Sequence, residues 1–142
     1  MFNILVVEDD FHTRKLISDV LQDERYIPVL AQDAQKALDI LEHQHIDLMI
    51  TDIMMPGMDG YSLTEMLRDA KYDFPILMMT AKETIKDKRK GFLVGTDDYM
   101  VKPVDEEELI LRVKALLRRA KIVNDRKIVI GKVSLNYDSL TV

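Results

Sequence analysis

The 142-residue chain has no cysteine and no tryptophan. Disulfides and thiolate metal sites are therefore excluded. Glycine is scarce, at five residues, and no glycine-rich turn follows the first apolar run, so a dinucleotide-binding fingerprint is missing. Long apolar runs are also missing. None approaches the ~20 residues of a membrane span. Met1-Phe2-Asn3 leads straight into a strand pattern with no signal-peptide features. Positive charge is in deficit, with a net charge of -5. Duplex DNA repels such a balance, because non-specific binding rests on Lys and Arg contacts to phosphates. Basic residues do gather late, at Arg118, Arg119, Lys121, Arg126 and Lys127, as at a solvated helix end. The simplest expectation is a cytoplasmic protein without membrane contact. The 47% apolar content excludes disorder and is enough for one real core.

Apolar runs alternate with amphipathic stretches. Strands are expected at Ile4 to Val7, Ile27 to Leu30, Leu48 to Thr51, Pro75 to Met79 and Tyr99 to Val101. Helices are expected at Phe11 to Gln22, Ala34 to Glu42, Ser62 to Arg68, Lys82 to Val94 and Glu106 to Arg119. Gly95 is a natural helix stop. Five strands alternating with five helices imply a parallel sheet covered on both faces. The flavodoxin-like strand order 2-1-3-4-5 is chosen among the few right-handed topologies. After Arg119 the pattern changes. Residues 121–126 read as a linker, and residues 127–142 alternate like the first strands of a second domain.

In such a sheet, sites form beyond the carboxyl ends of the strands at the switch point. Glu8-Asp9 follow the first strand and Asp52 closes the third. Lys102-Pro103 follow the fifth. Mg2+ takes oxygen ligands and commonly keeps waters beside one or two carboxylates. Asp9 and Asp52 suit direct ligation, Glu8 ligation through water, and a backbone carbonyl just past Asp52 suits the rest. Asp10 reads instead as the cap of the first helix, with Phe11 starting it. Asp52 as a nucleophile needs its charge shielded, which Mg2+ and Lys102 would do. Thr80 ends the fourth strand. Its hydroxyl suits a phosphoryl oxygen, and Thr80-Ala81-Lys82-Glu83 also fits a capping box. His12, His43 and His45 make no metal cluster and are expected to be exposed.

Together, Val6-Val7-Glu8-Asp9-Asp10, Asp52 through Gly60 with Met54-Met55-Pro56-Gly57, Thr80-Ala81 and Lys102-Pro103 resemble the receiver domain of bacterial response regulators. The match spans about residues 1–120. The resemblance implies that Asp52 accepts phosphate from a sensor histidine kinase. It implies that Glu8, Asp9, Asp52 and the main-chain carbonyl of Met54 hold Mg2+. It also implies that Thr80 and Tyr99 switch the face made by the fourth helix, fifth strand and fifth helix. Gly95 through Tyr99, with Glu108, Leu109, Arg112, Leu117, Arg118 and Arg119, looks like the OmpR/PhoB-type subfamily. Its members dimerise through that face and carry a winged-helix DNA-binding domain. Promoter DNA would then be reached only through a C-terminal domain that this chain lacks. For the dimer, Lys88 would meet Glu108, Asp97 would meet Arg119 and Asp98 would meet Arg112, around Phe92 and Leu111. Val104 and Leu93 depart from the family pattern. A Mg2+-dependent phosphohydrolase is the competing class, but Met54 stands where its general acid would be.

Overall fold

The computed structural model describes residues 1–81, 89 and 94–134, with side chains described as far as residue 121. Five strands form one parallel sheet: β1 (Asn3–Val7), β2 (Ile27–Ala31), β3 (Leu48–Asp52), β4 (Ile76–Thr80) and β5 (Asp98–Val101). Their order is β2-β1-β3-β4-β5, as expected. Helices α1 (Phe11–Asp23), α2 (Ala34–Leu41) and α3 (Gly60–Asp69) lie between strands, and a C-terminal helix runs from Glu106 to Ser134. Of the helix expected over 82–94, only Arg89 and Val94 are described, and both are helical. Lys88, Phe92 and Leu93 lie outside the described residues.

Alternation along each strand builds two cores. Ile4, Val6, Leu48, Ile50, Leu77, Met79 and Met100 face α1 and the C-terminal helix. The intervening Leu5, Val7, Met49 and Ile76 face α2 and α3. Side chains of opposite parity leave a strand on opposite faces, so continuous apolar runs are what a sheet covered on both sides requires. The helices contribute the stripes their spacing predicts: Ile17, Val20 and Leu21 on α1, and Leu109, Val113, Leu116 and Leu117 on the last helix. On α2 the buried set is Ala34, Ala37, Ile40 and Leu41, while Leu38 is only partly buried.

An aspartate caps each of the four helix starts among the described residues. Asp10, Asp33 and Asp59 accept the main-chain N–H of Thr13, Lys36 and Ser62. Asp105 accepts that of Glu108. Each cap satisfies an orphan donor of a first turn and fixes where the strand-to-helix loop ends. Gly60, the first residue of α3, packs against the main chain of Asp52, and a Cβ there would overlap the Asp52 carbonyl oxygen. Only glycine lets α3 start this close to the end of β3.

The chain beyond Arg119 differs from the expectation. The helix does not yield to a linker at 121–126 or a strand from 127, but continues to Ser134. Between Glu106 and Ile130 there is neither proline nor glycine, so nothing in the backbone chemistry stops the helix there. Among the described residues, no helix is long and apolar enough to cross a membrane.

Candidate functional site

Parallel strands bring all their carboxyl ends to one edge of the sheet. Register then decides which side chains meet. Val7 is level with Thr51, Asp52 with Met79, and Thr80 with Val101. Glu8, Asp52, Thr80 and Lys102 are therefore neighbours across four strands. The Glu8 N–H still bonds the Ala31 carbonyl at 3.0 Å, so this residue extends the β1–β2 ladder by one step. The Lys102 N–H donates to the Thr80 carbonyl at 2.7 Å, and the Lys102–Pro103 bond is cis.

The Lys102 ammonium donates to Glu8 Oε1 at 2.6 Å and to Asp52 Oδ2 at 2.7 Å. Glu8 is fully buried and Asp52 nearly so, at 5% exposure. Buried carboxylates are costly unless paired, so the ammonium between them is what makes the arrangement tenable. Sequence alone suggested a solvent-linked role for Glu8. In the structure its buried carboxylate is bonded directly to Lys102. Asp9 is exposed, beside the pair. One oxygen each of Glu8, Asp9 and Asp52 lies within 4.8 Å of the others. Three carboxylates facing one ammonium leave an excess of negative charge and a set of hard oxygen donors, which fits a divalent cation.

Burial pushes the Glu8 carboxyl up to about 7, and the negative charge of Asp52 adds to the rise. Hydrogen bonds from Lys102 and from the Asp10 N–H oppose it without cancelling it. Burial alone would lower Lys102, but hydrogen bonds to Asp52 and Glu8 outweigh that and hold it above its ordinary range. The lysine therefore stays charged. Asp10 is held below the usual carboxylate range by the Thr13 hydroxyl and N–H, which keeps it a helix cap outside the cluster.

The remaining candidates lie around this centre. Thr80 is 7% exposed and Tyr99 4%. Tyr99 packs with Ile53, Tyr61 and Met78. Met54 projects its side chain to solvent at 75% exposure, between buried Ile53 and Met55. His12, His43 and His45 are exposed. Of the charges expected to pair across a dimer, Asp97, Asp98, Glu108 and Arg112 are engaged within the chain. Arg112 bonds both Asp98 oxygens at 2.9 Å and Glu108 at 2.9 Å. Asp97 accepts from Arg68 and from the Ile76 N–H, while Arg119 is exposed and Leu111 is 62% exposed. Sequence reading missed Arg68, which also donates to the carbonyls of Tyr72, Phe74 and Gly95 and so ties α3 to the loops flanking β4. Apart from Asp97 its partners are loop carbonyls, and carbonyls carry no sequence signature.

A doubly covered parallel sheet with clustered carboxylates and a lysine at one edge is the architecture of a phosphotransfer switch. The family model described as the response regulator receiver domain matches residues 4–114, and the chain belongs to that family. As a member it is a phosphorylation switch and not a general enzyme. It is similar to the heme response regulator HssR of Staphylococcus epidermidis, at 40% identity over 144 residues. That match takes in 100% of this chain and 64% of that protein, so the chain spans about two thirds of that relative's length. Among solved structures it is similar to the receiver domain of the Francisella response regulator 1452. There the TM-score is 0.80 and the identity 31%, over 84% of this chain and 99% of that one. The chemotaxis protein CheY4 of Vibrio cholerae matches with a TM-score of 0.78 and 31% identity, over 82% and 98%.

The elevated Glu8 value makes stability depend on pH. In metal-free protein the folded state keeps a proton on Glu8 up to about 7, whereas the unfolded chain releases it near the ordinary 4.5. Stability contributed by this group is complete below 4.5 and is lost as pH rises through about 7. Urea titrations across that window should show this slope for wild type and a flatter one for Glu8→Gln. Equal slopes would place the titration elsewhere.

Proposed function

We propose that this receiver accepts a phosphoryl group on Asp52 from a phosphohistidine of a sensor histidine kinase, in the cytoplasm. The observation that carries the reading is the Lys102 ammonium held between Glu8 Oε1 and Asp52 Oδ2. An Asp52 oxygen forms a bond to phosphorus as the N–P bond to the kinase imidazole breaks, and the imidazole keeps the electron pair. Lys102 has three donors, so it can give one N–H to the phosphoryl group while another stays on Glu8. Thr80, buried at the end of β4 one residue past the partner of Asp52, offers a further hydroxyl. Glu8, Asp9, Asp52 and the main-chain carbonyl of Met54 would hold Mg2+. Bound there, Mg2+ neutralises charge on the transferring group.

Tyr99 connects this chemistry to the surface. Its ring shares a packed cluster with Ile53, the residue that follows Asp52. A shift of Thr80 and Tyr99 on phosphorylation would then remodel the face made by the fourth helix, β5 and the C-terminal helix. We assign dimerisation to that face, with Lys88, Phe92, Asp97, Asp98, Glu108, Leu111, Arg112 and Arg119. Forming the dimer ion pairs would require exchanging the intrachain bonds of Arg112. Rim pairs are worth only about 0–1 kcal/mol each, so Leu111 and Phe92 carry more of the affinity. We place the end of the receiver near residue 120, just past Leu117, the last buried residue among those whose side chains are described. The helix to Ser134 would then lead into a winged-helix DNA-binding domain of a longer parent, the part that would contact promoter DNA.

Incubation with a small phosphodonor and Mg2+, followed by intact mass, tests the phosphoacceptor. Wild type should gain one phosphoryl group, and Asp52→Asn should gain none. Equal gain in both would sink the assignment. Sedimentation of the phosphorylated protein reads the second step. Wild type should dimerise and Leu111→Asp should remain monomeric; dimerisation of both would move the interface to another face.

A further inference from the structure

Arg14 lies one turn into α1 and reaches back toward the end of β1. Its Nη1 donates to the main-chain oxygen of Glu8 at 2.7 Å and, at 3.4 Å, to that of Asp9. Its guanidinium carbon sits 5.8 Å from the centre of the Phe11 ring, which meets His12 edge-on at 5.5 Å. Among the described residues, the side chain bonds main-chain oxygens and no carboxylate.

The two carbonyls it engages occupy a gap in the backbone scheme. β1 ends at Val7 and α1 begins at Phe11. The Asp10 carbonyl already accepts the first helical bond, from the Arg14 N–H. The Glu8 and Asp9 carbonyls are past the strand and short of the helix. Holding both fixes the peptide plane that joins the acidic pair, and with it the directions in which the two side chains leave the backbone. Glu8 has a second constraint, because its carboxylate is tied to Lys102. Asp9 does not: it is exposed, and among the described residues its carboxylate has no hydrogen-bond partner. The aim of Asp9 into the cluster with Glu8 and Asp52 thus depends on its main chain.

We propose that Arg14 is a positioning residue for the cation site. It presets the Glu8-Asp9 main chain so that the Asp9 carboxylate already points at Asp52 before an ion arrives. Phe11 supports it by covering one face of the guanidinium. This inference rests on the reading above that the acidic cluster holds Mg2+.

The test is a Mg2+ titration of the 142-residue chain by calorimetry, with thermal melts in the absence of metal. Arg14→Ala should bind Mg2+ about tenfold more weakly or worse, the usual effect of removing a group that orients a metal ligand. Its metal-free melting should change little. Phosphorylation by a small phosphodonor should be slow at low Mg2+ and recover at saturating Mg2+. A purely structural role would give a lower melting temperature, unchanged Mg2+ affinity and no recovery, and that result would overturn the proposal. If Arg14→Ala does not fold, Arg14→Lys decides. A lysine ammonium ends one bond short of the Nη1 position and lacks the planar fork, so affinity should still fall, and wild-type affinity in that variant would refute the role. Failure of the wild type itself to bind Mg2+ would overturn the metal reading, and this inference with it.

Discussion

The Lys102 ammonium between two buried carboxylates is the interaction on which this structure depends. Removing it would leave Glu8 and Asp52 as like charges in a place with little water, an arrangement far more costly than an exposed pair. The ion pair also ties β5 to β1 and β3 across the centre of the sheet, between residues 94 and 50 positions apart in sequence. Strand register, the Asp caps and the close approach of Gly60 all serve the same end. They bring a lysine, a nucleophile and an acidic pair to one edge within hydrogen-bond reach.

The same interaction explains why the site is incomplete by itself. One ammonium cannot neutralise three carboxylates, and burial, with the charge of Asp52 adding to it, raises the Glu8 carboxyl. A cation relieves both. A phosphoryl group adds negative charge at the same point, and Lys102 is the donor already in place to meet it. With a cation bound there, fold stability, proton binding and metal binding would be linked at one locus.

Much of this was legible in the sequence, for identifiable reasons. The strands are short apolar runs bounded by polar residues, and a doubly covered sheet needs such runs. The site residues each end a run, so the topology alone brings Glu8, Asp52, Thr80 and Lys102 together. Other features depend on contacts that spacing does not encode. The Glu8–Lys102 bond is one, since nothing local distinguishes a lysine aimed at Glu8 from one aimed at solvent. The intrachain pairing of Arg112 with Asp98 and Glu108 is another, because the same charges suit a partner molecule equally well. The alternation of 127–137 suggested strands, but without a proline or an early glycine the helix runs on to Ser134. Arg68 and Arg14 act on carbonyls, which every residue has.

The central claim is that this cluster makes Asp52 the acceptor of a phosphoryl group. Hydride reduction of an aspartyl phosphate yields homoserine, so mass mapping after phosphorylation and borohydride treatment locates the acceptor directly. The account predicts conversion at Asp52 alone, in the presence of Mg2+ and not after chelation. Conversion at Asp9 or at another carboxylate, or conversion that persists without a divalent cation, would contradict it.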